Sequence, residues 1–191
     1  FLNIIFLYIL LSVLLTLLYT LPLWPFSFLR KLQHLGFAKT ILLSCTWAYT
    51  TVVLPAAFAA DVRLIAVALL FVARFLFMFL LCFIFDKRDV VIDKINGLNS
   101  LATNMSEKNA NIFAIAFVLH VSVGLFYNCF FANTFQAVAT IFTSVLLWVV
   151  FRFSKLKQGY VFYYFIVDGL MLVSALATFV GNNIFSKFVG Q

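Results

Sequence analysis

The stretch LIAVALLFVARFLFMFLLCFIFDKRDVVID, residues 64–93, decides the fold class of this protein. Its apolar part, residues 64–85, contains one charged residue, Arg74, and is long enough to cross a bilayer, which takes about 20 apolar residues. Asp86, Asp89 and Asp93 follow, separated by three and then four residues. On a helix of about 3.6 residues per turn, this spacing places the three carboxylates on one face. The stretch therefore predicts a spanning helix that leaves the membrane and continues through Asp93.

The composition of the whole chain agrees with a membrane protein. Of the 191 residues, 65% are hydrophobic and 10% are charged, whereas soluble domains average about a quarter charged. The mean hydropathy is +1.14. No alternating pattern of the outer-membrane barrel kind is present. We expect an all-α, polytopic transmembrane helix bundle that forms a single domain over residues 1–191, with six spans at approximately 1–24, 38–60, 64–85, 109–129, 133–151 and 160–182.

The distribution of basic residues predicts the orientation of the bundle. Ten of the 13 lie in the first, third and fifth loops. Arg63 and Lys187 fall on the opposite side of the membrane, and Arg74 lies inside a span. Since cytoplasmic loops carry the excess of Lys and Arg, we expect a multi-pass protein of the cell membrane with the acidic loop in the cytoplasm and both chain ends outside. This bias accounts for the net charge of +7 without a nucleic-acid partner. The ten residues are Arg30, Lys31, Lys39, Lys87, Arg88, Lys94, Lys108, Arg152, Lys155 and Lys157.

The acidic face is the first candidate site. Three of the six acidic residues of the chain lie within residues 86–93. Three negative charges on one helix face repel one another, and a bound cation would offset this repulsion. Carboxylates without Cys or His ligands favour Mg²⁺, which proteins commonly share with a substrate phosphate. The flanking basic residues could bind phosphate oxygens; they are Lys87, Arg88 and Lys94. The alternative interpretation is an ordinary solvated helix end.

The segment DKRDVVIDKINGLNSLAT, residues 86–103, resembles the second aspartate-rich motif of the UbiA-type intramembrane prenyltransferases. That motif follows a spanning helix and has the form D/N-x-x-D-x-x-x-D. The resemblance implies that Asp89 and Asp93 are catalytic and hold a Mg²⁺ ion that bridges to a prenyl diphosphate, with Asp86 as an additional metal ligand. Ser100 stands where the family commonly has Thr.

A second, weaker match is LLYTLPLWPFSFLRK, residues 17–31, where family members carry Tyr and Pro at the end of a span and then basic residues. Tyr19 and Pro22 are the counterparts, and Arg30 and Lys31 join the expected diphosphate-binding residues. Family members typically have nine spans. By that resemblance this chain corresponds to spans four to nine and is a fragment that lacks the N-terminal spans. The family's first aspartate-rich motif belongs to the loop after span two and has no counterpart in residues 1–191, so the resemblance implies an enzyme only if the parent chain carries that motif.

The resemblance implies transfer of an isoprenyl group from a prenyl diphosphate to an aromatic acceptor, either quinone-precursor-like or a tetrapyrrole. The alternative is a non-catalytic UbiA-like membrane subunit of a larger complex that binds lipid, quinone or a partner protein. A transporter is disfavoured because the ionisable residues cluster at one surface.

Three side chains with strongly basic, acidic or imidazole groups lie well inside the predicted spans, namely Arg74, His120 and Asp168. For Arg74 we expect snorkelling, or pairing with Asp168 or a backbone carbonyl. His120 is expected to be a packed, neutral histidine.

Overall fold

The structure is a computed structural model that describes residues 2–20, 36–59, 62–95, 107–154, 156, 159 and 161–189. Side chains are described within residues 6–18, 40–59, 62–86, 111–154, 156, 159 and 161–184. All regular secondary structure in these ranges is helical, which confirms the predicted fold class at that level.

Within the described ranges, seven α-helices follow one another in sequence order. They are α1 (Leu2–Thr20), α2 (Gly36–Ala48), α3 (Leu54–Ala56), α4 (Leu64–Ile95), α5 (Glu107–Phe131), α6 (Thr134–Phe153) and α7 (Asp168–Val189). Two π-helical segments extend them: Tyr49–Val53 joins α2 to α3, and Phe162–Val167 leads into α7. The first ends two residues before Pro55, which has no N–H to donate to the carbonyl of Thr51 within that segment, so the helix widens there.

In the part of the chain that the structure describes, four helices are long and apolar enough to cross a membrane. They cover Leu64–Asp86, Asn111–Phe131, Thr134–Phe153 and Phe162–Ile184, close to four of the six predicted spans. At most 33% of the residues in the apolar part of each helix are buried within the protein, so the remaining surface is free to contact lipid. The apolar helical stretches Phe6–Leu18 and Thr40–Ala56 are shorter.

Helix α4 occupies the centre of the packing. It contacts α2 on one side and α5 on the other, and it also touches the π-helical segment before α7. Helices α5 and α6 pack together, as do α6 and α7. The pairs Ala73–His120 and Phe83–Phe113 show that α4 and α5 run antiparallel. Asp86 therefore lies at the end of the bundle opposite the α5–α6 turn.

The two ends of the α4–α7 bundle differ in chemistry. Towards Asp86 the interior is aromatic: Phe83 and Phe113 are fully buried, and the Phe113 ring stacks on Phe151 with centroids 3.5 Å apart. Towards the α5–α6 turn the buried side chains are polar, including Asn128 and Gln136. This division separates two candidate sites.

Close approach of α6 and α7 yields a stability prediction. A Cβ atom on Gly181 would lie 3.3 Å from the Phe135 carbonyl oxygen, whereas a Cβ on Gly169 would meet no atom within 4 Å. Because backbone cannot move aside as a flexible side chain can, we expect Gly181→Leu to lower the free energy of unfolding by about 1–3 kcal/mol. Gly169→Leu is the matched control on the same helix. Thermal unfolding in detergent micelles measures both, and equal stability of the two variants would contradict the prediction.

Candidate functional site

The acidic residues lie on the last turns of α4. This helix is unbroken to Ile95, so the predicted continuation through Asp93 is confirmed for the backbone. Positions 86, 89 and 93 consequently share one face of a regular helix. The last turns of α4 follow directly on its spanning segment, which ends at Asp86.

Asp86 is held by a neighbouring helix. The Thr40 hydroxyl of α2 donates a hydrogen bond of 2.8 Å to Oδ2 of the Asp86 carboxylate. Thr40 is itself buried, and its carbonyl accepts a 2.7 Å hydrogen bond from the Ser44 hydroxyl one turn along α2. A donor on a packed helix fixes the orientation of the carboxylate at the edge of the bundle. The sequence analysis did not single out Thr40, because nothing in its local sequence indicates a partner 46 residues away.

The side chains of the other predicted site residues are outside the described part of the structure. The backbone of α4 carries Lys87, Arg88, Asp89, Asp93 and Lys94, but their side chains lie outside the described set. Arg30 and Lys31 fall in the undescribed range 21–35. Among the described side chains, no group of three His, Cys, Asp or Glu could hold a metal ion. The metal and diphosphate assignments therefore remain predictions.

Directly inside Asp86 the bundle is filled by aromatic rings. The Phe85 and Tyr163 rings lie 6.3 Å apart, and Phe83 packs against Phe113 at 5.5 Å. Phe77, Phe83 and Leu81 are almost completely inaccessible. The acidic end of α4 is thus anchored on a close-packed core, which keeps its helix axis fixed relative to α2 and α5.

Arg74 has a hydrogen-bond partner on α7 that the sequence did not indicate. Its Nη1 donates to the Ser174 hydroxyl at 3.0 Å. Asp168 lies six residues before Ser174, about 9 Å away along the helix, and is exposed. Arg74 itself lies 12 residues before Asp86, about 18 Å along α4, so it belongs to a separate region.

His120 is packed, as predicted. It is 6% exposed, its Nδ1 lies 3.0 Å from the Ala73 carbonyl oxygen, and its ring contacts that of Phe77 with centroids 5.6 Å apart. Together with Arg74 it lines a polar cavity among α4, α5, α6 and α7.

Comparison with known proteins gives no match for this chain among family models, curated proteins or solved structures.

Proposed function

We propose that this protein is a Mg²⁺-dependent membrane prenyltransferase that transfers an isoprenyl group from a prenyl diphosphate to an aromatic acceptor, quinone-precursor-like or tetrapyrrole. One observation carries the proposal: α4 continues as one unbroken helix to Ile95 and presents positions 86, 89 and 93 on a single face where its apolar spanning segment ends. Such a face can bind a polar diphosphate while the adjoining apolar helices accommodate an isoprenoid chain.

The residue types on this face suit a hard cation. Carboxylate oxygens are the ligands that Mg²⁺ prefers, and Asp86, Asp89 and Asp93 would hold it. The hydrogen bond from Thr40 already orients the Asp86 carboxylate. When bound, Mg²⁺ supplies positive charge to the diphosphate leaving group.

Side chains of the protein bind the diphosphate and exclude water. Lys87, Arg88 and Lys94 share the turns of α4 that carry the three aspartates, and we assign them to the diphosphate oxygens together with Arg30 and Lys31. Their charge stabilises the diphosphate as the allylic C–O bond breaks. The apolar bundle excludes water, so that the acceptor rather than water captures the isoprenyl cation.

The proposal includes a membrane topology. We assign α1 and the helical stretch Gly36–Ala56 as two further spans beside the four long helices, with the acidic end of α4 in the cytoplasm of a cell-membrane protein. The ten-to-two bias of basic residues supports this orientation. Single cysteines at positions 95 and 155 should then be labelled from the same side of the membrane. Labelling from opposite sides would refute the topology.

Calorimetry on the full protein tests the function. A prenyl diphosphate such as farnesyl diphosphate should bind when Mg²⁺ is present and fail to bind when it is chelated. Radiolabelled prenyl diphosphate with a panel of quinone-type and tetrapyrrole acceptors then measures transfer. If no magnesium–diphosphate binding occurs, the enzyme proposal fails, and the non-catalytic membrane subunit that binds lipid, quinone or a partner protein takes its place.

A further inference from the structure

A polar cavity of about 200 Å³ lies between α4, α5, α6 and α7, in the half of the bundle away from Asp86. Its lining extends from Arg74 and His120 to Ala132 at the α5–α6 turn. Ala132 follows His120 by 12 residues, which is about 18 Å along a helix. Because Ala132 and Asn182 are exposed, we place the entrance at the turn and the deepest part beside Arg74 and His120.

Part of the polar lining is already satisfied by its neighbours. The Asn128 amide donates to the Thr140 hydroxyl at 2.7 Å. The Gln136 amide donates to the Thr178 carbonyl at 2.8 Å and to the Asn182 side-chain oxygen at 2.9 Å. These bonds tie α5 to α6 and α6 to α7, so they hold the cavity walls in place.

His120 has an unused acceptor. A carbonyl oxygen can only accept, so the contact with Ala73 requires that Nδ1 carries the hydrogen. In the neutral ring Nε2 is then an acceptor with a lone pair, and it is buried with no hydrogen-bond partner among the residues that the structure describes. Buried polar atoms without partners are rare and costly, so a ligand that donates a hydrogen bond is expected here.

Arg74 has unused donors. Its guanidinium group has five N–H donors, and in the described part of the chain its hydrogen-bond partner is the neutral Ser174 hydroxyl. Among the described residues that line the cavity there is no carboxylate. A cation within the apolar region of a bilayer is costly without a compensating negative charge. The cavity therefore combines one uncompensated positive charge with one uncompensated acceptor.

We infer that this cavity binds a small monocarboxylate that also carries a hydroxyl group, with the carboxylate on Arg74 and the hydroxyl donating to His120 Nε2. A single guanidinium balances one negative charge, which favours a carboxylate over a doubly charged phosphate. The volume is below the 300–1,000 Å³ or so of pockets for drug-sized ligands, so the ligand is small. Its entrance lies at the end of the bundle opposite the acidic face. The inference is therefore independent of the prenyltransferase proposal.

Binding of L-lactate to the full-length protein in lipid nanodiscs tests the inference. Saturation-transfer NMR should show saturable binding of lactate, about tenfold weaker binding of propionate, which lacks the hydroxyl, and weaker binding of inorganic phosphate. Arg74→Gln should weaken lactate binding about tenfold or more, whereas Arg74→Lys keeps the charge and should retain most of it.

A second variant separates ligand binding from folding. In His120→Asn the amide can still donate to the Ala73 carbonyl, but the acceptor at Nε2 is lost, so lactate should bind no better than propionate. Thr46→Val, which removes a buried hydroxyl of α2 away from the cavity, is the control and should bind lactate normally. The inference is wrong if no lactate binds, if propionate or phosphate binds as well as lactate, or if folded Arg74→Gln and His120→Asn proteins bind lactate like the wild type.

Discussion

Replacing Asp89 or Asp93 by Asn in the full protein should each lower the rate of magnesium-dependent prenyl diphosphate consumption by about 10²–10³, the usual cost of losing one preorganised charge-stabilising group. Asn keeps the size of the side chain and removes its negative charge, so the proposed Mg²⁺ site would lose one ligand charge. Turnover of radiolabelled prenyl diphosphate measures the effect, and thermal unfolding verifies that the variants are folded.

The control for this experiment is Asp61→Asn. In the sequence Asp61 comes three residues before the first residue of α4 and 25 residues before Asp86, and it belongs to neither aspartate-rich segment, so it should not contribute to the reaction. Thr40→Val provides an intermediate case, because it removes the hydrogen bond that orients the Asp86 carboxylate and leaves all three aspartates in place. We expect a smaller loss of rate in Thr40→Val than in Asp89→Asn. Full magnesium-dependent activity in both Asp89→Asn and Asp93→Asn would show that the acidic face is a solvated helix end.

Phe113→Ala should produce the largest loss of stability, about 3–5 kcal/mol, the range for removal of a buried aromatic side chain. Phe113 is fully buried and stacks on Phe151 at 3.5 Å, with Phe83 at 5.5 Å. Removing its ring leaves a cavity in the core that carries the acidic end of α4. Reversible unfolding in mixed micelles measures the free energy.

The matched control is Phe130→Ala. Phe130 belongs to the same helix but is 68% exposed. Truncating it to Ala removes a ring from the outer surface of the bundle and leaves no internal cavity. We expect a change well below that of Phe113→Ala. Equal losses in the two variants would mean that the aromatic cluster does not stabilise the bundle.

Features that depend on neighbours along the chain could be predicted from the sequence. The spans beginning near residues 64, 109, 133 and 160 agree with the four long helices within about two residues, because an apolar segment in a bilayer must satisfy its own backbone hydrogen bonds. The common face of Asp86, Asp89 and Asp93 follows from helix geometry alone. The packed state of His120 followed from its apolar surroundings in the sequence.

Features that join distant segments required the tertiary structure. The pairing of Thr40 with Asp86 spans 46 residues, and that of Arg74 with Ser174 spans 100 residues. From the sequence, Arg74 is predicted to snorkel, or to pair with Asp168 or a backbone carbonyl, because the residue types allow each of these.

The sequence by itself determined that this is a helical membrane protein with three acidic positions on one helix face, since apolar length and the 3.6-residue period are local properties. Only the tertiary structure decided which hydroxyl meets Asp86, which one meets Arg74, and that His120 lines a polar cavity. The physical reason is that close packing against the neighbouring helices sets how each helix is rotated about its axis and how far it is shifted along that axis. This placement selects one hydrogen-bond partner among several of suitable chemistry.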